Sequence, residues 1–203
     1  MNFIFIILIF LISAVIARIL IPRILLISLR KKLFDIPDDR KVHKRAIPRL
    51  GGVSFFPTTL FAFCLVYTFR LLGGDSVSTL YASYLLPELL LFACGMTLLY
   101  LTGIADDLVG VRYRQKFVIQ IFCACLFPLS GLWINDLYGL FGIHELSVYV
   151  GIPFTILTVV FITNAINLID GIDGLASGLS SVALLIFTFL FIEKGLWSYA
   201  MLA

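Results

Sequence analysis

The sequence predicts an all-α, polytopic transmembrane helix bundle. Three observations carry that expectation. The 203 residues are 61% hydrophobic and only 13% charged, with a mean hydropathy of +1.09. That is more apolar surface than a water-soluble domain can hide. The apolar residues also fall into runs near the roughly 20 residues a bilayer-crossing helix needs. Finally, the basic residues are concentrated between particular runs: ten of the fifteen Lys/Arg lie from Arg18 to Arg49, and three more are Arg112, Arg114 and Lys116.

Six spans follow from hydropathy, at about 3–22, 53–72, 85–104, 117–134, 147–164 and 175–192. The first has no Lys/Arg ahead of it and is followed by Arg18, Arg23, Arg30, Lys31 and Lys32. The positive-inside rule therefore puts the N-terminus outside and the end of this span in the cytoplasm. Alternation then places the loops 23–52, 105–116 and 165–174 inside, and 73–79 and 135–146 outside. Thirteen of the fifteen Lys/Arg fall in or beside the inside loops. Pro22, Pro57, Pro87, Pro128 and Pro153 lie in or near spans, where neighbouring helices can satisfy the freed carbonyls. Residues 1–203 read as a single membrane-embedded domain.

Chemistry is concentrated in three acidic patches at span ends, Asp35-Ile-Pro-Asp-Asp-Arg at 35–40, Asp106-Asp107 with Gly110, and 164–174, all on the predicted cytoplasmic side. Ionisable groups at a membrane edge are costly and are usually retained for a task. Asp106-Asp107 are adjacent carboxylates. They repel unless a cation intervenes, and hard oxygen donors suit Mg²⁺ or Mn²⁺. The alternative is a solvated turn that caps a helix. Asn164, Asn167, Asp170 and Asp173 recur every three residues, which keeps them on one slowly drifting helical face, with Gly171 and Gly174 allowing close backbone approach. The basic loop holds Arg40, Lys41, His43, Lys44 and Arg45, then Arg49-Leu-Gly-Gly. Two readings of it stay open: a topology signal touching anionic headgroups, or a phosphate clamp. Arg112, Arg114 and Lys116 carry the same two readings. Asp75, Glu88, Asp136, Glu145 and Glu193 read as interfacial and non-catalytic. Cys64, Cys94, Cys123 and Cys125 lie in apolar runs and read as small hydrophobes. Charges at one edge rather than mid-span argue against a transporter.

Taken together, these strings resemble the polyprenyl-phosphate N-acetylhexosamine-1-phosphate transferases (glycosyltransferase family 4). They are Asp35-x-Pro-Asp-x-Arg-Lys-x-His with Pro48-Arg-x-Gly-Gly, Gly103-x-x-Asp-Asp-x-x-Gly with Arg114-x-Lys-Phe, and Asn164-Ala-x-Asn-Leu-Ile-Asp-Gly-Ile-Asp-Gly-Leu-Ala. The first is closer to the branch using UDP-N-acetylglucosamine or related UDP-sugars than to the phospho-N-acetylmuramoyl-pentapeptide branch. The resemblance implies attack of a polyprenyl (undecaprenyl) phosphate on the β-phosphorus of a UDP-sugar, releasing UMP, with Mg²⁺ required and Mn²⁺ an alternative. It implies catalytic roles for Asp106, Asp107 and Asp170, and metal contacts from Asp107, Asn167 and Asp170. Substrate contacts are implied for Lys44, Arg45, Lys116, Asn164, Gly171, Ile172 and Asp173. The implied setting is the bacterial inner membrane with a cytoplasmic active face, a lipid phosphate and a UDP-sugar as partners, no nucleic acid, and a homodimer left open. The family's later Gly-Asp-x-Gly-Ser loop and His-rich loop do not occur before Ala203. The expectation is therefore an amino-terminal part, inactive alone, with a non-catalytic truncated paralogue as the competing class.

Overall fold

A computed structural model describes residues 2–35, 47–48, 50–73, 76–170 and 174–203. Its elements are α1 (Asn2–Arg30), β1 (Phe34–Asp35), β2 (Ile47–Pro48), α2 (Phe55–Leu72) and α3 (Ser76–Val109). They continue with α4 (Tyr113–Leu129), α5 (Val148–Ile169), α6 (Leu175–Glu193) and α7 (Trp197–Leu202). The chain divides into two compact units, Met1–Thr79 with Ile169–Ala203, and Leu80–Leu168.

Among the described residues, five helices are long and apolar enough to cross a membrane: Asn2–Arg30, Gly51–Leu72, Leu85–Val109, Val148–Ile169 and Leu175–Glu193. The polytopic helical class thus stands, with five such helices where six spans are expected. The expected span 117–134 is α4, which starts earlier and has 17 residues, the lower limit for crossing. Gly131, at φ +90°, turns the chain away just after Ser130. Other helices outlast their expected spans. α1 continues through Arg23 to Arg30 because no glycine or proline follows Pro22 in that stretch. α3 and α5 likewise run on, to Val109 and Ile169, so polar residues expected in loops are helical. Large apolar side chains point outward throughout, among them Phe10, Phe61, Leu185 and Phe189. An outward apolar face of this extent belongs against lipid.

In the first unit α2 packs along α1, burying Ala62, Phe63 and Val66. α7 returns against α1 through an edge contact of Trp197 on Phe3, ring centroids 5.1 Å apart. Beyond α1, Phe34 pairs with Pro48 and Asp35 with Ile47 in a two-residue antiparallel ladder.

In the second unit α3, α4 and α5 run alternately up and down. Phe92 of α3 meets Phe127 of α4 edge-on at 6.2 Å. Gly95 lies close enough to α4 that a Cβ there would sit 3.4 Å from Leu126. Past α4, the Ile134 amide donates to Thr155 Oγ1 of α5 at 2.9 Å, and Trp133 lies flat against Gly151. Gly151 is buried in the first turn of α5. A Cβ there would fall on the Trp133 ring and 2.6 Å from the Ile134 carbonyl oxygen. Gly151→Ala is therefore expected to overpack this corner and cost about 1–3 kcal/mol, read as a lowered thermal midpoint in detergent. Gly178→Ala, where nothing lies within 4 Å of the added carbon and the residue is helical, should hold the midpoint or raise it, by up to about 1 kcal/mol of stability.

Candidate active site at the α3–α4 turn

Asp106 and Asp107 occupy the last turn of α3. Helix C-termini carry unpaired carbonyls and the negative end of the helix dipole, so acids there are destabilising without a cation. Lys116, in the first turn of α4, supplies one: its Nζ lies 3.0 Å from Asp106 Oδ2. The other carboxylate oxygen, Oδ1, accepts the Val111 amide at 2.9 Å. The turn between the helices is only three residues long. Gly110 adopts φ +77° and its amide closes on the Asp106 carbonyl at 2.9 Å, a left-handed helix terminus that a glycine makes without Cβ strain. A single side chain thereby ends one helix and ties it to the next.

The seam continues across α4. Gln120 lies four residues after Lys116, on the same face and about 6 Å along the axis. It is buried, and its Oε1 accepts Asn164 Nδ2 of α5 at 2.8 Å. The same amide group donates to the Val160 carbonyl at 2.8 Å, and Asn167 Nδ2 donates to the Thr163 carbonyl at 2.9 Å. Both asparagines thus fold their nitrogens back onto α5, which turns their carbonyl oxygens away from the helix. α4 and α5 are antiparallel, so Asn167 lies about 4.5 Å further toward the start of α4 than Asn164. Arg114 stacks over Tyr113, its guanidinium carbon 5.7 Å from the ring centre.

The structure thus pairs Asp106 with Lys116 and Asn164 with Gln120, the two α4 residues four apart on one face, with Asp107 adjacent to the first acid and Asn167 one turn beyond Asn164. Asp170 directly follows α5, is exposed, and belongs to the other compact unit. Lys44, Arg45, Gly171, Ile172 and Asp173 lie outside the described residues. Gln120 was missed in reading the sequence. Its signal was present: it is the one polar side chain between Phe117 and Leu126 other than the two cysteines, and polar groups inside a span mark function or helix contacts.

The donors gathered here are hard oxygens, from carboxylates and side-chain amides. Among the described residues, no group of three or more His, Cys, Asp or Glu is placed to hold a metal. This donor set fits Mg²⁺, which keeps several waters and is commonly held by one or two carboxylates together with substrate phosphates.

A model of glycosyl transferase family 4 matches residues 89–203, a stretch that contains the whole seam. The chain belongs to this family. A Bacillus subtilis (strain 168) protein named probable undecaprenyl-phosphate N-acetylglucosaminyl 1-phosphate transferase is 31% identical over 86% of this chain and 45% of its own length. The undecaprenyl-phosphate alpha-N-acetylglucosaminyl 1-phosphate transferase of Yersinia pestis is 30% identical over 87% of this chain and 46% of its own. A phospho-N-acetylmuramoyl-pentapeptide-transferase of Staphylococcus carnosus (strain TM300) is 29% identical over 90% and 58% respectively. The chain spans about half the length of the curated relatives it matches.

Hydrogen bonds between membrane helices contribute about 0.6 kcal/mol on average and up to about 1.7. A double-mutant cycle of Gln120→Leu and Asn164→Leu should return a coupling in that range by reversible unfolding in mixed micelles. Strictly additive effects would mean that the two amides do not meet.

Proposed function

We propose that this family member contributes to transfer of an N-acetylhexosamine-1-phosphate from a UDP-sugar to undecaprenyl phosphate or a related polyprenyl phosphate, releasing UMP. The observation that carries the reading is the polar seam Asp106–Lys116–Gln120–Asn164 at one end of otherwise apolar helices. A lipid-borne phosphate and a water-soluble nucleotide sugar can meet only at such an edge. The names of the relatives support undecaprenyl phosphate as the acceptor and an N-acetylglucosaminyl 1-phosphate as the group transferred. Arg112, Arg114 and Lys116 in and just after the α3–α4 turn, with the hydropathy-based alternation of spans, favour the cytoplasmic face of a bacterial inner membrane.

In this reading an oxygen of the acceptor phosphate attacks the sugar-linked phosphorus of the UDP-sugar. The bond from that phosphorus to the bridging oxygen breaks, and the electron pair leaves with UMP. Lys116, already oriented by Asp106, contacts phosphate and offsets charge as it moves to the leaving group. Asp107 takes the proton when the acceptor arrives as a monoanion. Asn164 and Asn167 present amide oxygens, and Gly171, Ile172 and Asp173 are further substrate contacts in the proposal. Asp107, Asn167 and Asp170 would hold Mg²⁺, with Mn²⁺ as a substitute. When bound, the ion neutralises diphosphate charge. Lys44 and Arg45 are further phosphate contacts in the proposal.

The test is UMP release from UDP-N-acetylglucosamine and undecaprenyl phosphate, by membranes in which the residues of this chain are carried in a full-length family enzyme, the chain alone being expected to stay inactive. Asp107→Asn should lower the rate roughly 10²–10⁴-fold, the range removed with a positioned proton acceptor, and chelation of divalent cations should abolish it. Undiminished release under either condition would overturn the assignment.

A further inference from the structure

The opposite end of the second unit carries a feature that phosphoryl transfer does not use. Between α4 and α5 the chain folds into a small hairpin over residues 135–146. Asp136 and Glu145 form an antiparallel bridge, and the Leu146 amide closes on the Asn135 carbonyl at 2.8 Å. Polar side chains cluster at this base: Asn135, Asp136, His144 and Glu145. The tip reads Leu137-Tyr-Gly-Leu-Phe-Gly-Ile143, with no charged or amide side chain. Turns in water are built from Gly, Asn, Asp, Ser and Pro. This one has kept the glycines and replaced the rest with large apolar groups.

Those groups point outward. Tyr138 is 87% exposed and Phe141 88%, with Leu140 and Ile143 also exposed. Both aromatic residues hold left-handed backbone, φ 52° and 56°, which bulky L-residues disfavour. The backbone, meanwhile, is closed on itself. The amides of Leu137, Gly139, Leu140, Gly142 and Ile143 donate to carbonyls within residues 137–144 at 2.9–3.1 Å. The Tyr138 amide donates to Asp136 Oδ1 at 2.6 Å. A loop in water has no need to satisfy its amides internally, whereas a segment in lipid must. Trp133, in the segment between α4 and the hairpin, and Tyr149, in the first turn of α5, flank the hairpin, and such rings mark a membrane interface.

We propose that this hairpin is a membrane anchor. Its tip, residues 137–143, seats Tyr138, Leu140 and Phe141 in the headgroup–acyl boundary of the phospholipid, on the face opposite Asp106 and Asp107. The polar base stays at the water side. Lipid is the favoured occupant because the hairpin joins two adjacent helix ends, so the bilayer surface lies beside it, and because six of the seven amides of residues 137–143 are already bonded within the hairpin, which lowers the cost of the water-poor headgroup–acyl boundary.

The experiment uses the 203-residue chain with its four cysteines changed to alanine and reconstituted in phosphatidylethanolamine–phosphatidylglycerol vesicles. Phe141→Cys carries an environment-sensitive fluorophore, and Asn135→Cys serves as the base control. At position 141, a lipid with its nitroxide near the headgroup should quench several-fold more strongly than aqueous iodide, with the order reversed at 135. Equal iodide quenching at both positions would overturn the proposal, and so would protection of position 141 from both quenchers, which would mean protein covers the tip. Phe141→Asn gives a label-free check. Asparagine suits left-handed backbone and water, so a hairpin standing in water would gain thermal stability or keep it. The anchor predicts a lowered midpoint in vesicles, and an unchanged or raised one would overturn it.

Discussion

A carboxylate in the final turn of a helix meets unpaired carbonyls and the negative end of the peptide dipoles, and near lipid little water is available to screen either. Asp106 is placed there, and the contacts that make it tolerable also set the geometry of the second unit. Lys116 takes one carboxylate oxygen and the Val111 amide takes the other. Because Val111 lies within the three-residue turn and Lys116 beyond it, satisfying the acid fixes the start of α4 against the end of α3. With α4 in register, Gln120 reaches Asn164, and α5 acquires its rotation. The ion pair is about one-third exposed on each side, so its direct contribution to stability is small. Its consequence lies in which side chains it brings to one level.

Polar contacts can have this influence because the surroundings supply little else. In water, buried apolar area decides how helices rotate about their axes. In lipid, tails are as apolar as leucine, and helix orientation falls to close packing and to hydrogen bonds. The second unit shows both. Gly95 admits the Leu126 side chain and Gly151 admits the Trp133 ring, while Gln120 and Thr155 carry the two side-chain hydrogen bonds that link α5 to α4 and to the segment beyond it.

The helical class, the positions of most spans and the pairing of acid with base were legible in the sequence because hydropathy and charge are local signals. The periodicity of Asn164 and Asn167 was legible for the same reason, and α5 does carry both as helix. Helix ends were less accessible. α3 and α5 continue past their apolar runs because nothing there breaks a helix until Gly110 and the residues after Ile169. Hydropathy measures the solvent around a helix and not the length of its hydrogen-bond ladder. The specific partner of Asp106 was also out of reach, since Arg112, Arg114 and Lys116 all carry suitable charge. Helical phase decides among them: Lys116 returns toward α3, while Arg114 stacks on Tyr113. Gln120 was overlooked because an isolated amide in an apolar run has no motif around it.

The short α4 connects the two ends of this unit physically. Its 17 residues span about 26 Å, somewhat less than the roughly 30 Å of hydrocarbon in a bilayer. A helix this short draws its flanking segments toward the apolar layer unless it thins the bilayer. At one end the flank is the turn bearing Asp106, Asp107 and Arg112. Pulling these groups toward lipid raises the cost of isolated charge, which favours their pairing and, in the proposed function, brings the phosphate contacts to the depth of a lipid headgroup. At the other end the flank is the hairpin, whose self-bonded backbone and apolar tip suit the same boundary. The shortfall in one helix thus gives a single physical reason for a charged turn on one side and a hairpin with an uncharged, aromatic tip on the other.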